Sequence, residues 1–372
     1  MQSSIVTPPV GVAAEDVPDL AALVSGSTGP FATVVLSTGR DRPDLAAQVD
    51  ATWRELRAGL AEAGAPERVL DDAWAALDAA RLDGDALGVV IAEDGAHVVA
   101  VHDQPVDELS AWDSLPRVLT FVEWAQSTPR GVLAVVDRTG ADLFATGNEM
   151  PVQVVDGEDG PVVRRSAPGG WSQRRFQQRA EMTWEANAAA VADELARLVD
   201  DVAARVVVIA GDGRAVREVE QRLPDRVTEL VRNASGGRGE GSEGHLEHDV
   251  RRWYRSAVAD DTVALLQKFD EEIGQQDRAV TGLAATVEAL AMSAVDTLLV
   301  QQGVGTGTRI HLGGPGGSMP SMRGELEGSR SCAAADALVA AAWSTGARVR
   351  VVPSTGAMRD GAGALLRFPT NG

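Results

Sequence analysis

The sequence predicts an α/β protein built of three mixed α/β domains. Three observations support this. The chain has 372 residues, enough for two or three domains at roughly 100–200 residues each. Its longest apolar runs, such as Val132–Val136 and Val206–Ala210, have strand length rather than helix length. Segments with apolar residues at helical spacing lie between such runs, and that alternation builds layered α/β units. Domain boundaries are placed at 1–117, 118–272 and 273–372.

In the first domain, Phe31–Ser37 (FATVVLS) reads as a buried strand. A helix follows from about Pro43, with Leu45, Val49, Trp53, Leu56 and Leu60 at helical spacing and Gly64 as its stop. A second helix carries Val69, Leu70, Trp74 and Leu77. Ala86–Ala92 and His97–Val101 form strands around the turn Asp94-Gly95. No chemistry is visible in this region.

The second domain opens with the strand pair Gly131–Asp137 and Ala141–Thr146, and a third strand at Val152–Val155. After a Gly- and Asp-rich loop and the stretch Ser166–Ser172, a long helix carries Phe176, Ala180, Trp184, Val191, Leu195, Leu198 and Val202 on one broad face. Val206–Ala210 is a strand, followed by a short helix and a strand around Val227–Val231. Asn233–Gly244 is a Gly/Ser-rich loop, and a second long helix runs over His245–Gln275. In the third domain a helix covers Leu283–Met292 and a strand covers Asp296–Val300. A loop over Gly313–Gly328 leads to a helix at Cys332–Ser344 and a strand at Arg348–Val352.

The formal net charge is −20. An acidic balance favours solubility and a protein or small-molecule partner. RNA contact then requires a local basic patch, because phosphate attraction depends on clustered Arg and Lys. Nearly every cation is arginine, and Lys268 is the sole lysine. Cys332 is the only cysteine, so an internal disulfide is excluded. Its alanine-rich surroundings suit a buried apolar role. No signal-peptide pattern opens the chain and no run nears the roughly 20 apolar residues that span a bilayer. The expected location is cytoplasmic, with no membrane partner, no cofactor and no metal.

One stretch stands apart from the acidic background. Between Gly160 and Ala180 lie Arg164, Arg165, Arg174, Arg175 and Arg179, with no acid among them. The centre of this stretch reads Gly169-Gly170-Trp171-Ser172-Gln173-Arg174-Arg175-Phe176. A glycine pair frees the backbone for a tight projecting loop. Arginines there can meet phosphates, and an exposed Trp171 can stack on a base. The plainer reading is a glycine turn before a helix with a solvated basic face.

Weaker signals have plain readings as well. Gly211-Asp212-Gly213-Arg214 follows a strand and opens a helix, where an anion can sit, but it lacks the full GxGxxG pattern. Gly303–Gly307 lacks the Lys-Ser/Thr of a phosphate loop. His245 and His248 share a helix face without a third metal ligand, and solvated surface is the simpler account.

Gly169, Gly170, Ser172, Arg175 and Phe176 stand in register with the Gly-Gly-Gln loop of archaeal and eukaryotic class-1 peptide-chain release factors, which this region resembles. The strands GVLAVVDRTGADLFA before it match that family's domain opening. Val287–Val300 (VEALAMSAVDTLLV) resembles the segment Glu-Ala-Leu-x-x-Gly-Ala-Val-Asp-Thr-Leu-Leu shared with the ribosome-rescue factor Pelota. Gly361–Phe368 (GAGALLRF) resembles their closing Gly-Ile-Gly-Ala-Leu-Leu-Arg-Tyr. The codon-reading Asn-Ile-Lys-Ser is absent. The nearest resemblance is to the bacterial branch, especially actinobacterial Balon-like ribosome hibernation factors.

The resemblance implies a ribonuclease-H-like central domain and a Pelota/release-factor-like C-terminal domain. It implies ribosome binding at the A site, with Arg164, Arg165, Gly169, Gly170, Trp171, Ser172, Arg174, Arg175 and Arg179 as an rRNA-binding loop. It also implies elongation factor Tu or another translational GTPase as a partner, in a stress response that regulates translation. The family's glutamine positions the water that attacks the peptidyl-tRNA ester. Trp171 stands in its place, and an indole offers one donor without the amide's acceptor. The expectation is therefore a non-enzymatic hibernation factor with no catalytic residue. Two alternatives stay open: a peptidyl-tRNA hydrolase or release factor using another residue such as Gln173, and an acidic protein-interaction module acting off the ribosome.

Overall fold

The computed structural model describes residues 17–27, 29–38, 45–80, 85–102, 106–137, 140–146, 152–155, 162–165, 182–236, 243–275, 277–303, 308–312, 320–321, 330–354, 356 and 358–369. It is a mixed α/β protein, as the alternation of strand-length and helix-length segments leads one to expect. Residues Glu15–Gln126 together with Asp261–Gly372 form one compact unit, and Ser127–Asp260 lies in another.

The N-terminal segment contains α1 (Pro18–Gly26), β1 (Phe31–Ser37), α2 (Leu45–Glu62), α3 (Glu67–Ala80), β2 (Ala86–Ala92), β3 (His97–His102), β4 (Leu109–Asp113) and α4 (Leu119–Ser127). Its sheet has the antiparallel order β3-β2-β1-β4. Ala32, Val34 and Leu36 face one cluster with Val49, Trp53, Leu70 and Leu77 of α2 and α3. Phe31 and Val35 face another, with Val122 and with Leu338 and Val349 of the C-terminal segment. Burial on both faces explains why FATVVLS is mostly apolar rather than alternating. The sequence pattern does not announce α1 or β4. The first has Pro at its start and two buried leucines, and the second is held by pairing with β1.

The next elements are β5 (Gly131–Asp137), β6 (Gly140–Ala145), β7 (Val152–Val155), β8 (Val162–Arg165), α5 (Met182–Val202), β9 (Val206–Gly211), α6 (Gly213–Glu220), α7 (Asp225–Thr228), β10 (Val231–Asn233) and α8 (Glu243–Gln275). The six-stranded sheet has the order β10-β9-β5-β6-β7-β8. Strands β5 to β8 form an antiparallel meander, and β9 and β10 add in parallel on the other side. This is the expected ribonuclease-H-like order with one added edge strand, β8. Alternation places Val132, Ala134 and Val136 against Val191, Leu195 and Val199 of α5. Leu133, Val135, Val206 and Val208 meet Leu246, Val250 and Tyr254 of α8. The strand expected around Val227–Val231 begins later. Pro224 precedes a helical turn at Asp225–Thr228, and pairing with β9 starts only at Val231.

The C-terminal segment contains β11 (Ala279–Thr281), α9 (Leu283–Ala291), β12 (Val295–Gln301), β13 (Arg309–Leu312), β14 (Pro320–Ser321), β15 (Arg330–Ala333), α10 (Ala334–Ser344), β16 (Arg348–Val352) and β17 (Ala362–Leu366). One sheet has the order β11-β17-β12-β16, and a smaller one has β14-β13-β15. The small sheet replaces part of the expected loop. Its strands are too short to show a period and exist through their pairing. Cys332 lies within β15 rather than opening a helix.

The first and last segments of this unit share polar as well as apolar contacts. Asp336 on α10 is 4% exposed. It accepts from the Val118 backbone N–H at 3.1 Å and pairs with Arg117 at 3.0 Å. Arg117 also reaches Asp113 at 3.4 Å, and Asp113 receives two 3.1 Å bonds from Arg309. Gln126 is buried between the backbone of Val349 and Val351, donating at 2.9 Å and accepting at 3.1 Å. That amide satisfies two groups of β16 that no described strand pairs on that side.

Candidate nucleic-acid interface

The structure shows the frame on either side of the arginine-rich stretch. Strand β8 carries Arg164 and Arg165, in register with Gln153 and Val152 of β7 at the sheet edge. Helix α5 is described from Met182. Gly169, Gly170, Trp171, Ser172, Arg174, Arg175 and Arg179 lie outside the described residues, as do Gln173 and Phe176.

The Gly211-Asp212-Gly213-Arg214 turn is structural. Asp212 caps α6, accepting from the Arg214 N–H at 3.0 Å and the Ala215 N–H at 3.1 Å. Its carboxylate thus occupies the donors an anion would use. Gly211 has φ +131, and a Cβ there would lie 1.8 Å from the Val136 carbonyl oxygen. The close backbone approach, not ligand binding, calls for glycine at this turn. Cys332 is fully buried, with its thiol pushed up to about 12 by burial. It is no nucleophile at neutral pH. No group of three metal-ligating side chains occurs among the described residues. No helix among them is long and apolar enough to cross a membrane.

The two C-terminal motifs have packing reasons. Strand β17, from the GAGALLRF stretch, lies inside its sheet between β11 and β12. A Cβ on Gly363 would sit 2.8 Å from the ring of Phe269, a fully buried residue of α8. Arg367 closes the stretch by donating to the carbonyls of Ser293, Thr345 and Gly346. In VEALAMSAVDTLLV, the bonds Ser293 N–H to Leu290 and Ala294 N–H to Ala289 end α9, and Ser293 takes φ +54. The resembled segment has glycine there, the residue that meets this conformation without a Cβ penalty. Ser293→Gly is therefore expected to raise stability by about 0.5–1 kcal/mol. Urea denaturation of the two proteins checks it, and an unchanged or lower midpoint would contradict the strain argument.

Helix α8 holds a basic face that the sequence reading passes over. His248, Arg251, Arg252 and Arg255 recur at i, i+3, i+4 and i+7 and lie together with Glu247 on the outer side of the helix. The signal was in the spacing. In the sequence alone, only His245 and His248 of this helix draw notice, as candidate metal ligands.

Comparison with known proteins accords with the motif resemblance. Residues 130–275 match the family described as bacterial archaeo-eukaryotic release factor family 2. The chain is 30% identical over 353 residues to two uncharacterized proteins of Mycobacterium tuberculosis, MT2704 of strain CDC 1551 / Oshkosh and Rv2629 of strain H37Rv. Each alignment covers 91% of this chain and 94% of the relative. Among solved structures, an archaeal Pelota from a ribosome-bound assembly with ABCE1 is similar at 15% identity and a TM-score of 0.39, over 99% of both chains. Pelota from Archaeoglobus fulgidus gives 13% identity and a TM-score of 0.33, over 98% of this chain and 95% of that one. With the central region matching the release-factor pattern and nearly the whole chain aligning with the mycobacterial proteins, the chain belongs to the bacterial archaeo-eukaryotic release factor family.

Proposed function

We propose that this protein is a ribosome hibernation factor. It binds idle ribosomes at the A site and cleaves no peptidyl-tRNA. Membership of a release-factor family supports a ribosome-related role. The observation that carries the finer reading is Trp171, which follows Gly169-Gly170 where the resembled loop has glutamine. The family's chemistry needs a side chain that both donates to and accepts from a water, and an indole N–H only donates. The loop keeps its flanking arginines, so its contribution is to hold RNA rather than to orient a nucleophile. Elongation factor Tu or a related GTPase is the delivery partner in this reading, and the cytoplasm is its place of action.

Two measurements test it. Peptide release from stalled ribosome complexes is expected to stay at background, and sucrose-gradient sedimentation is expected to place the protein on vacant ribosomes. Efficient release that disappears in Gln173→Ala would instead establish a hydrolase using a displaced glutamine. Sedimentation free of ribosomes in both growing and starved cells would favour an acidic interaction module.

A further inference from the structure

We propose that the basic face of α8, made by His248, Arg251, Arg252 and Arg255, is a second RNA-binding surface, separate in sequence from the arginine-rich loop, that grips consecutive phosphates of one strand. This deepens the ribosome-binding reading and rests on it for the source of the phosphates.

The helix is electrically polarised. From 245 to 255 it carries Arg251, Arg252 and Arg255 against Glu247 and Asp249. From 260 to 272 it carries Asp260, Asp261, Asp270, Glu271 and Glu272 against Lys268 alone. In a chain of net charge −20, three arginines within five positions are held together against their mutual repulsion. Two are partly neutralised, Arg251 by Glu247 at 2.8 Å and Arg252 by Asp249 at 3.4 Å. Arg255 is exposed, and its helix face offers it no carboxylate one turn away, since 251, 252, 258 and 259 are Arg, Arg, Val and Ala.

The surface is also preorganised. Leu246, Val250 and Tyr254 are buried against the central sheet, which fixes the opposite face of the helix outward. The Trp253 indole donates to the Asn233 carbonyl at 3.0 Å, and the Arg252 guanidinium lies over that ring, 4.6 Å from its centroid. A guanidinium held on an aromatic face loses less freedom on meeting an anion. From His248 to Arg255 the stripe is about 10 Å long at 1.5 Å per residue. The guanidinium fork suits phosphate oxygens. A straight stripe of such forks fits the regular phosphates of a nucleic-acid strand better than the irregular carboxylates of an acidic protein surface.

The test uses full-length protein, intact 70S ribosomes and deproteinised large-subunit ribosomal RNA as separate probes. Arg252→Gln with Arg255→Gln removes the two more exposed charges and spares Arg251, so the helix packing stays intact, as circular dichroism can verify. The double variant is expected to bind both probes about 10-fold or more weakly at moderate salt. The slope of log affinity against log salt should become shallower by about one to two, as for one or two lost phosphate contacts. Equal affinity and slope on both probes would overturn the proposal. Weaker binding to ribosomes with unchanged binding to the bare RNA would also overturn it, by assigning the surface to a ribosomal protein. If the unmodified protein binds bare RNA but not ribosomes, the hibernation reading falls, and the effect of the variant on bare RNA still decides this surface. If it binds neither, both fall.

Discussion

Arg117→Ala is expected to lower the stability of the unit formed by Glu15–Gln126 and Asp261–Gly372 by about 1–2 kcal/mol at pH 7, less than a forced unpaired charge would cost because the carboxyl it pairs with can take up a proton instead. The reason is Asp336. Its side chain is 5% exposed, and Arg117 at 3.0 Å is its cationic partner. Burial raises this carboxyl from an ordinary 3.8 to about 6, against the opposing pull of the Arg117 charge and the Val118 N–H. The folded state therefore holds the Asp336 proton more tightly than the unfolded chain does. Stability contributed at this site is highest below about pH 4 and declines as pH rises towards about 6. Without Arg117 the carboxyl rises further, so the penalty of the variant should be greatest above pH 6 and shrink on acidification. Urea denaturation of both proteins at pH 5 and pH 7.5 measures it. A penalty independent of pH would show that Arg117 acts through its packing and not through Asp336.

Reversing Arg164, Arg165, Arg174 and Arg175 to glutamate is expected to abolish co-sedimentation with ribosomes while the circular dichroism spectrum stays the same. Each phosphate contact that is lost lowers both affinity and its salt sensitivity, and reversal adds repulsion to the loss. Trp171→Ala is the milder companion. Base stacking is worth roughly 1–3 kcal/mol per base by alanine substitution, which corresponds to about one to two orders of magnitude in ribosome affinity. If Trp171 instead packs into its own domain, the same substitution lowers the melting temperature and leaves the folded fraction binding normally. Melting temperature and affinity measured on one preparation separate these outcomes.

Much of the architecture was legible in local pattern. FATVVLS and GVLAVVD are strands because each is a short apolar run bounded by glycine or polar residues, and both are buried on two faces. The helix over Leu283–Ala291 and the strand after it follow the expected spacing closely. The elements missed were those whose stability is not local. Strand β8 has four residues, and β14 has two. Neither is long enough to display an alternation, and each is held by a neighbour that the linear sequence does not name. The basic face of α8 was missed for another reason. Its charges are spread over eight positions and become a patch only when the helix brings every third and fourth residue together.

The sequence by itself determined the class of the protein. Apolar runs of strand length, helical spacing between them and the motifs at Gly169–Phe176, Val287–Val300 and Gly361–Phe368 sufficed for an α/β member of a release-factor family. Trp171 in the place of glutamine was legible there too, since residue identity needs no coordinates. Only the tertiary structure decided that the first and last segments share one compact unit. Arg117 and Asp336 are 219 positions apart, and the core they join mixes apolar side chains from both ends of the chain, such as Phe31 and Leu338. No periodicity or propensity connects residues so distant. What connects them is burial itself: apolar faces on β1 and α10 that each need covering, and a carboxylate that is tolerated inside only because a guanidinium and a backbone N–H from the other end of the chain reach it.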